Sequence, residues 1–242
     1  MLSLLVLLSL LVILFLVIIY LVYRPPVWMF TYFQKRWPDI LWAVHTNQRL
    51  VALTIDDGPS QHTQAILEVL KENSANATFF VIGSHIPGHE DVLRDLLRSG
   101  CELANHAMYD EPARSLPVRD LEAQIKTVQR QLDNIYNECS PGSKAPQFYR
   151  PGSGFFSSDI RVMLLRLGFR LVLGNVYPHD PQIPFWRMNA WHILGMVNPG
   201  SIIICHDGRS WTVPMLQDIL LELKKRGYRI VTVSELLEHE GD

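Results

Sequence analysis

"VALTIDDGPSQHT", residues 51 to 63, decides the fold reading, because it joins a strand-like apolar run to two adjacent carboxylates and then to a Gly-Pro break. Val51 to Ile55 is the kind of short run that fills a strand buried on both faces. Asp56 and Asp57 stand at its C-terminal end. The following "SQHTQAILEVLKEN" carries Ala65, Ile66, Val69 and Leu70 at helical spacing, with Ser60 placed as an N-cap. The unit therefore reads strand, polar loop, helix. Taken alone, the carboxylate pair has a plain explanation, since a helix N-terminus favours negative charge by roughly 0.3–1 kcal/mol.

Working outward, the same unit recurs. "ATFFVIG" reads as a strand, "HEDVLRDLLRSG" as a helix closed by Gly100, and "CELANH" as a strand running into a loop. An amphipathic helix from about Val118 to Tyr136 follows, then strand "FYR", helix "SSDIRVMLLRLG", strand "FRLVLGN", helix "NAWHILGMV" and strand "SIIICHD". Helix "VPMLQDILLELKKRG" and strand "YRIVTVS" complete the series. Strands that alternate with helices imply parallel βαβ units with right-handed crossovers. The class is α/β, a closed or nearly closed (β/α) barrel of about seven parallel strands.

In such barrels the chemistry collects where strands end. Asp56 and Asp57 follow "VALTI", His106 follows "CELAN", Arg150 ends "FY", Asp180 lies beyond "LVLGNVY", and His206 with Asp207 ends "SIIIC". Each has a bland alternative: a helix cap, a surface His/Asp pair for His106 and Asp110, a turn brace for Arg150, a core histidine for His206. Convergence on one rim favours the functional reading, a metal site beside an acid–base pair.

The 242 residues are 48% hydrophobic, enough for one domain with a sizeable core and too few for a second large one. A net charge of −2, from 22 basic and 24 acidic residues, argues against a nucleic-acid surface. Cys101, Cys139 and Cys205 are an odd set without CxxC spacing, which argues against a disulfide scaffold and a cysteine-type zinc site and leaves room for one disulfide at most.

Residues 1–23 are free of charged side chains and nearly all Leu, Val and Ile. At about 1.5 Å per residue they reach across a bilayer core of roughly 30 Å. The run exceeds a signal-peptide h-region, lacks a basic n-region and has no small-x-small site before Arg24, so it reads as a retained transmembrane anchor. Residues 24–50, rich in Pro and Trp, read as a juxtamembrane segment and residues 51–242 as the catalytic domain. Arg24, Lys35 and Arg36 follow the span and no basic residue precedes it, a pattern that by itself places the C-terminal side in the cytoplasm.

From Val51 to Leu237 the chain resembles the polysaccharide deacetylase family, which includes chitin, chitooligosaccharide and peptidoglycan deacetylases. "LTIDDGPS" is similar to that family's T-F-D-D-G-P motif. "NHAMYD" stands where it carries H-[ST]-x-x-H, "YRPGSG" where it carries R-x-P-[YF]-G, "VYPHD" where it carries an Asp, and "IIICHDG" at the Leu-x-His motif. The resemblance implies a distorted (β/α) barrel that removes acetyl groups from N-acetylglucosamine in chitin-like or related polysaccharides with one divalent metal, zinc first, cobalt or manganese next.

By the same resemblance Asp57, His106 and Asp110 would hold the metal, and Asp56 would be the general base. Arg150 would keep Asp56 ionised and oriented. His206 would be the general acid steered by Asp180, and Ser153 with Gly154 would line the acetyl pocket, a Ser153 N–H facing the oxyanion. Elementary chemistry agrees: hydrolysis needs hydroxide near neutral pH, and zinc brings the pKa of water from about 15.7 to about 7. A histidine with a carboxylate partner can protonate the leaving nitrogen.

Two departures matter. Asp110 replaces the family's second metal histidine and makes the site harder and more anionic, and Gly152-Ser153 replaces its Pro-Tyr, removing an aromatic wall. His179 beside Asp180 is a further candidate for the cleft, and the "NAT" sequon at Asn76 enters a strand expected to be buried. A polysaccharide substrate requires the domain outside the cytoplasm or in a lumen, against the local charge asymmetry. The rival readings are an inactive carbohydrate-binding relative and an amidase of the same fold acting on non-sugar C–N bonds.

Overall fold

The computed structural model describes residues 2–242. Helices α1 (Leu2–Tyr23) and α2 (Val27–Arg36) lead into strands β1 (Ile40–Leu41) and β2 (Leu50–Gly58). Then come α3 (Thr63–Glu72), β3 (Ala77–Val81), α4 (Glu90–Arg98), β4 (Glu102–Asn105), α5 (Val118–Cys139), β5 (Phe148–Tyr149), α6 (Ser158–Leu167) and β6 (Arg170–Val172). The chain closes with α7 (Trp186–Met196), β7 (Ile202–His206), α8 (Thr212–Lys225), β8 (Arg229–Val231) and α9 (Val233–Glu238).

The strands form one sheet in the order β1-β6-β5-β4-β3-β2-β7, with β8 pairing the start of β2 on the side away from β7, and every ladder is parallel. Two single bridges, Ala43 to Ser201 and Val176 to Ile203, draw the β1/β6 end toward β7. The result is the distorted barrel expected from the alternation of elements.

Strand periodicity explains which side chains reach the interior. On β2, Val51, Leu53 and Ile55 pack outward against α3, α4 and α8, while Leu50 and Ala52 join Phe80, Ala104, Val172 and Ile202 in the barrel centre. Thr54 and Asp56 share the parity of Leu50 and Ala52, so they continue the inner face toward the rim. The same count carries His106 from Ala104, Arg150 from Phe148, and His206 from Ile202. A one-residue slip in any strand would turn its ionisable group into the helical layer.

Asp57 breaks this alternation. Asp56 pairs with Phe80 and Gly58 with the next residue, Val81, so Asp57 is the extra residue of a bulge. Its φ is +67°, a strained value for a residue with a Cβ. The bulge lets the neighbours aim in different directions. Helix capping is excluded for both carboxylates, because they lie within β2 and α3 begins at Thr63.

Two expectations change. Ser60 does not cap α3; His62 occupies that position, and Ser60 Oγ donates to Asp207 Oδ1 at 2.7 Å. Residues 40–50, expected within the juxtamembrane segment, are built into the barrel: Ile40 and Leu41 pair with Leu171 and Val172 and are buried. Their short apolar run sits among Trp and Pro residues that mask it as linker. Upstream, α1 contains one stretch, Val6–Tyr23, long and apolar enough to cross a membrane by length and composition.

Candidate active site

Asp56, at the inner end of β2, is 3% exposed and held by Arg150, whose Nη1 lies 2.5 Å from Oδ1. The same Nη1 donates to Thr54 Oγ1 at 2.6 Å and Nε donates to the Val172 carbonyl at 3.1 Å. The guanidinium carbon rests 4.1 Å from the centre of the Phe80 ring. Burial pulls the Arg150 pKa down, and the Asp56 charge and hydrogen bond push against it. With this many contacts the guanidinium has one orientation, and so does the carboxylate it grips.

Asp57 faces a different partner. Its Oδ1 is 3.4 Å from His106 Nε2, and its Oδ2 is 3.7 Å from Arg209 Nη2. Burial alone would raise the Asp57 pKa; the His106 hydrogen bond and the charges of His206, His106 and Arg209 outweigh it and leave the pKa below the ordinary value.

His106 is buried, and its Nδ1 sits 2.7 Å from the Arg150 carbonyl. That oxygen only accepts, so Nδ1 carries the proton and Nε2 of the neutral ring presents a lone pair to Asp57. Two acceptors then confront each other, and a positive charge is needed between them, either a proton or a cation. Burial lowers the His106 pKa, and the Asp57 bond with the charges of Asp56 and Asp57 more than reverses this. An imidazole whose far nitrogen is fixed by a carbonyl is also the usual geometry of a metal-ligating histidine. Asp57 and His106 therefore fit a divalent ion.

The third expected ligand is not brought in. Asp110 is exposed, and among the described residues no group of three His, Cys, Asp or Glu side chains could hold a metal ion. An i, i+4 spacing aligns two side chains only on a helix, and residues 106–110 are a loop. Ala107 N–H donates to Asn105 Oδ1 and Met108 N–H to Gln124 Oε1, which pins the loop up to Met108 and leaves Tyr109 and Asp110 beyond.

On the other side of Asp56, in register with it on β7, stands His206. Asp180, fully buried, accepts from His206 Nδ1 at 2.9 Å with one oxygen and from the His206 backbone N–H at 2.9 Å with the other. Trp211 Nε1 donates to the Asp180 carbonyl at 3.0 Å and holds that loop. Burial lowers the His206 pKa, but Asp180, then Asp56 and Asp57, drive it up to about 9, so the ring is an imidazolium at neutral pH.

The family model for polysaccharide deacetylase matches residues 43–172. Peptidoglycan-N-acetylglucosamine deacetylase of Bacillus cereus is 32% identical over 207 residues, spanning 83% of this chain and 94% of that one. The chain belongs to the polysaccharide deacetylase family. Among solved structures, peptidoglycan deacetylase PdaC from Bacillus subtilis superposes with a TM-score of 0.71 at 30% identity, covering 81% of this chain and 93% of that one. A family pseudoenzyme from Bacillus anthracis shares the fold, with a TM-score of 0.72 at 23% identity over 81% of this chain and 68% of its own.

Within this deacetylase barrel the remaining expected residues fall as follows. Ser153 and Gly154 lie on an exposed turn just after Arg150, both at positive φ, 63° and 71°. Gly152 is required there, since a Cβ would stand 2.1 Å from the Glu111 carbonyl oxygen. The family's aromatic wall is thus replaced by backbone passing close to backbone. His179 turns from the acid pair to stack on Tyr23, ring centroids 5.3 Å apart.

Two rim residues, Tyr177 and Arg209, carry no signal in the sequence, and Asp207, expected at the end of "SIIIC", gains a role only here. Asp207 is buried and bridges strands, accepting from Ser60, Thr63 and the Gly208 N–H, while its own N–H donates to the Asp56 carbonyl at 2.8 Å. It stitches the loop after Asp57 to β7. Arg209 reaches Asp57, and the Tyr177 ring lies 5.9 Å from His206 with its phenol pushed up to about 12, mainly by burial. The Ser-x-x-Thr after "DDGP" supplies two hydroxyls to a bridging acceptor, a pattern that locally looks the same as a helix start.

Proposed function

We propose that the chain is a metal-dependent carbohydrate N-deacetylase that hydrolyses the acetamide of N-acetylglucosamine in chitin-like or related wall polysaccharides. The observation that carries this reading is one rim with a gripped carboxylate, Asp56, between an Asp57/His106 pair and an imidazolium, His206. The two most similar proteins named above act, by their names, on peptidoglycan, a polymer rich in the same sugar.

Asp57 and His106 would hold a divalent ion, whose chemistry there would be to make a bound water acidic enough to attack near neutral pH. Asp56 accepts the proton of the attacking water, and Arg150 holds its carboxylate toward that water. The acetyl carbonyl becomes tetrahedral, with its oxyanion near the Ser153 N–H. His206 Nε2 donates its proton to the sugar nitrogen as the C–N bond breaks, releasing the amine and acetate. Asp180 on Nδ1 keeps Nε2 facing the cleft throughout.

Zinc is the expected ion, with cobalt or manganese favoured if Asp110 swings in as a third, oxygen ligand. An N-terminal anchor at residues 1–23 would hold the domain on the external or lumenal side, where such polymers lie. Acetate release from N-acetylated chitooligosaccharides and from peptidoglycan fragments, by full-length protein in detergent with Zn²⁺, Co²⁺ or Mn²⁺, tests the reading. No release with any ion from a folded sample overturns it.

The two-ligand geometry favours one second reading, a carbohydrate-binding relative without catalysis. Asp56→Asn separates the two. Loss of acetate release by about 10²–10⁴-fold with metal binding intact supports the enzyme. Sugar binding that is unchanged in a protein never seen to release acetate supports the binder.

A further inference from the structure

Three residues, Arg24, Pro25 and Pro26, separate the apolar helix α1 from α2. α2 has two faces. Inward, Phe30 and Phe33 pack on Trp42 with ring centroids 6.2 and 4.9 Å apart, and Gln34 Nε2 donates to the Ala43 carbonyl at 2.9 Å. Outward it shows Val27, Trp28 and Tyr32, with Lys35 and Arg36 in the last turn.

A second exposed apolar stripe runs along α7: Phe185, Met188 and Trp191, three residues apart on the side opposite buried Ala190 and Ile193. These six apolar side chains are between 42% and 68% exposed, which no soluble barrel requires. The α7 stripe reaches the end of α1, three residues before α2 begins. The Arg24 guanidinium lies 4.7 Å over the Trp191 ring, and Tyr23 packs on His192 and His179 at 4.6 and 5.3 Å. The end of α1 is therefore fixed to α7 by ring contacts.

Indole and phenol rings with a polar tip, flanked by Arg and Lys, suit the boundary between acyl chains and head groups. Arg24, Lys35, Arg36 and Arg187 supply positive charge that attracts anionic lipid. We propose that the outer faces of α2 and α7 seat in the head-group layer of the bilayer crossed by α1, holding the barrel against the membrane instead of letting it swing on a tether. This rests on reading α1 as a membrane span. The seat carries the catalytic rim with it, because Tyr23, His179, Tyr177 and His206 form a continuous series of ring contacts.

The test reconstitutes the full chain in vesicles of phosphatidylcholine and phosphatidylglycerol, with the phosphatidylcholine either plain or brominated near the glycerol end of its acyl chains. Tryptophan quenching is compared between the native chain and W28F/W191F, whose thermal midpoint checks that the fold is kept. Trp28 and Trp191 are two of six tryptophans, so bromine should remove about a third of the native emission and little of the variant's. Equal quenched fractions in the two proteins overturn the seat. Alkaline carbonate extraction separates the two levels: a chain that is extracted overturns the span and the seat together, whereas a retained chain with unquenched Trp28 and Trp191 overturns the seat alone.

Discussion

Replacing Asp180 by Asn should move the alkaline limb of kcat/KM down the pH scale. In the native fold Asp180 takes both the Nδ1 proton and the backbone N–H of His206, each at 2.9 Å, and is the largest influence holding the ring protonated against burial. Asn has one acceptor oxygen, so one of these two donors loses its partner and the anionic charge disappears. The native imidazolium, with a pKa of about 9 against an ordinary 6.5, is favoured by about 3 kcal/mol, of which Asp56 and Asp57 supply part.

Losing Asp180 should therefore lower the limb by at least about one pH unit, equivalent to about 1.4 kcal/mol. With the pKa moved from about 9 to about 8 the ring still holds its proton at pH 7, so the loss should be small there and approach about tenfold above pH 9. The sign for stability follows from a raised histidine pKa. The pair's contribution is complete below the ordinary value near 6.5 and is lost as pH climbs through about 9, so native and variant should differ most in acid and converge in alkali. Acetate release across that range, with urea unfolding at each pH, measures both. An alkaline limb that stays in place in D180N refutes the assignment of His206 as the acid held by Asp180.

Arg150→Met leaves the buried Asp56 carboxylate without its counter-charge and should cost about 3–5 kcal/mol in urea unfolding. Asp110→His puts a nitrogen donor where the family's motif carries its second histidine but on a loop held away from Asp57 and His106, so zinc affinity by competition with a chelator should stay unchanged, and a rise of about tenfold or more would show that the loop folds in as a third ligand. Gly152→Ala drives a methyl group into the Glu111 carbonyl, so the thermal midpoint should fall by several degrees, about 1–3 kcal/mol, even though the residue is small.

Much of the barrel was legible from local signals. Strand-like runs and helical stripes mark β2 to β8 and α3 to α8, because burial on one or both faces leaves a period that one chain segment displays by itself. β1 was hidden, since two residues, Ile40 and Leu41, are too short to show any period and owe their strand geometry to β6. The Ser60 cap failed for a related reason: its hydroxyl found a better partner in Asp207, 147 residues away.

The sequence by itself determined that Asp56, Asp57, His106, Arg150, Asp180 and His206 all end or closely follow strands, and the family to which such an order belongs. Tertiary structure alone decided where each points and what it touches. The parallel register sets Asp56 opposite His206, and a bulge turns Asp57 away from its neighbour toward His106. The loop that pins Met108 leaves Asp110 in solvent. Strand ends are written in local pattern, whereas the direction of a side chain depends on register and on partners from distant strands, which no single segment encodes.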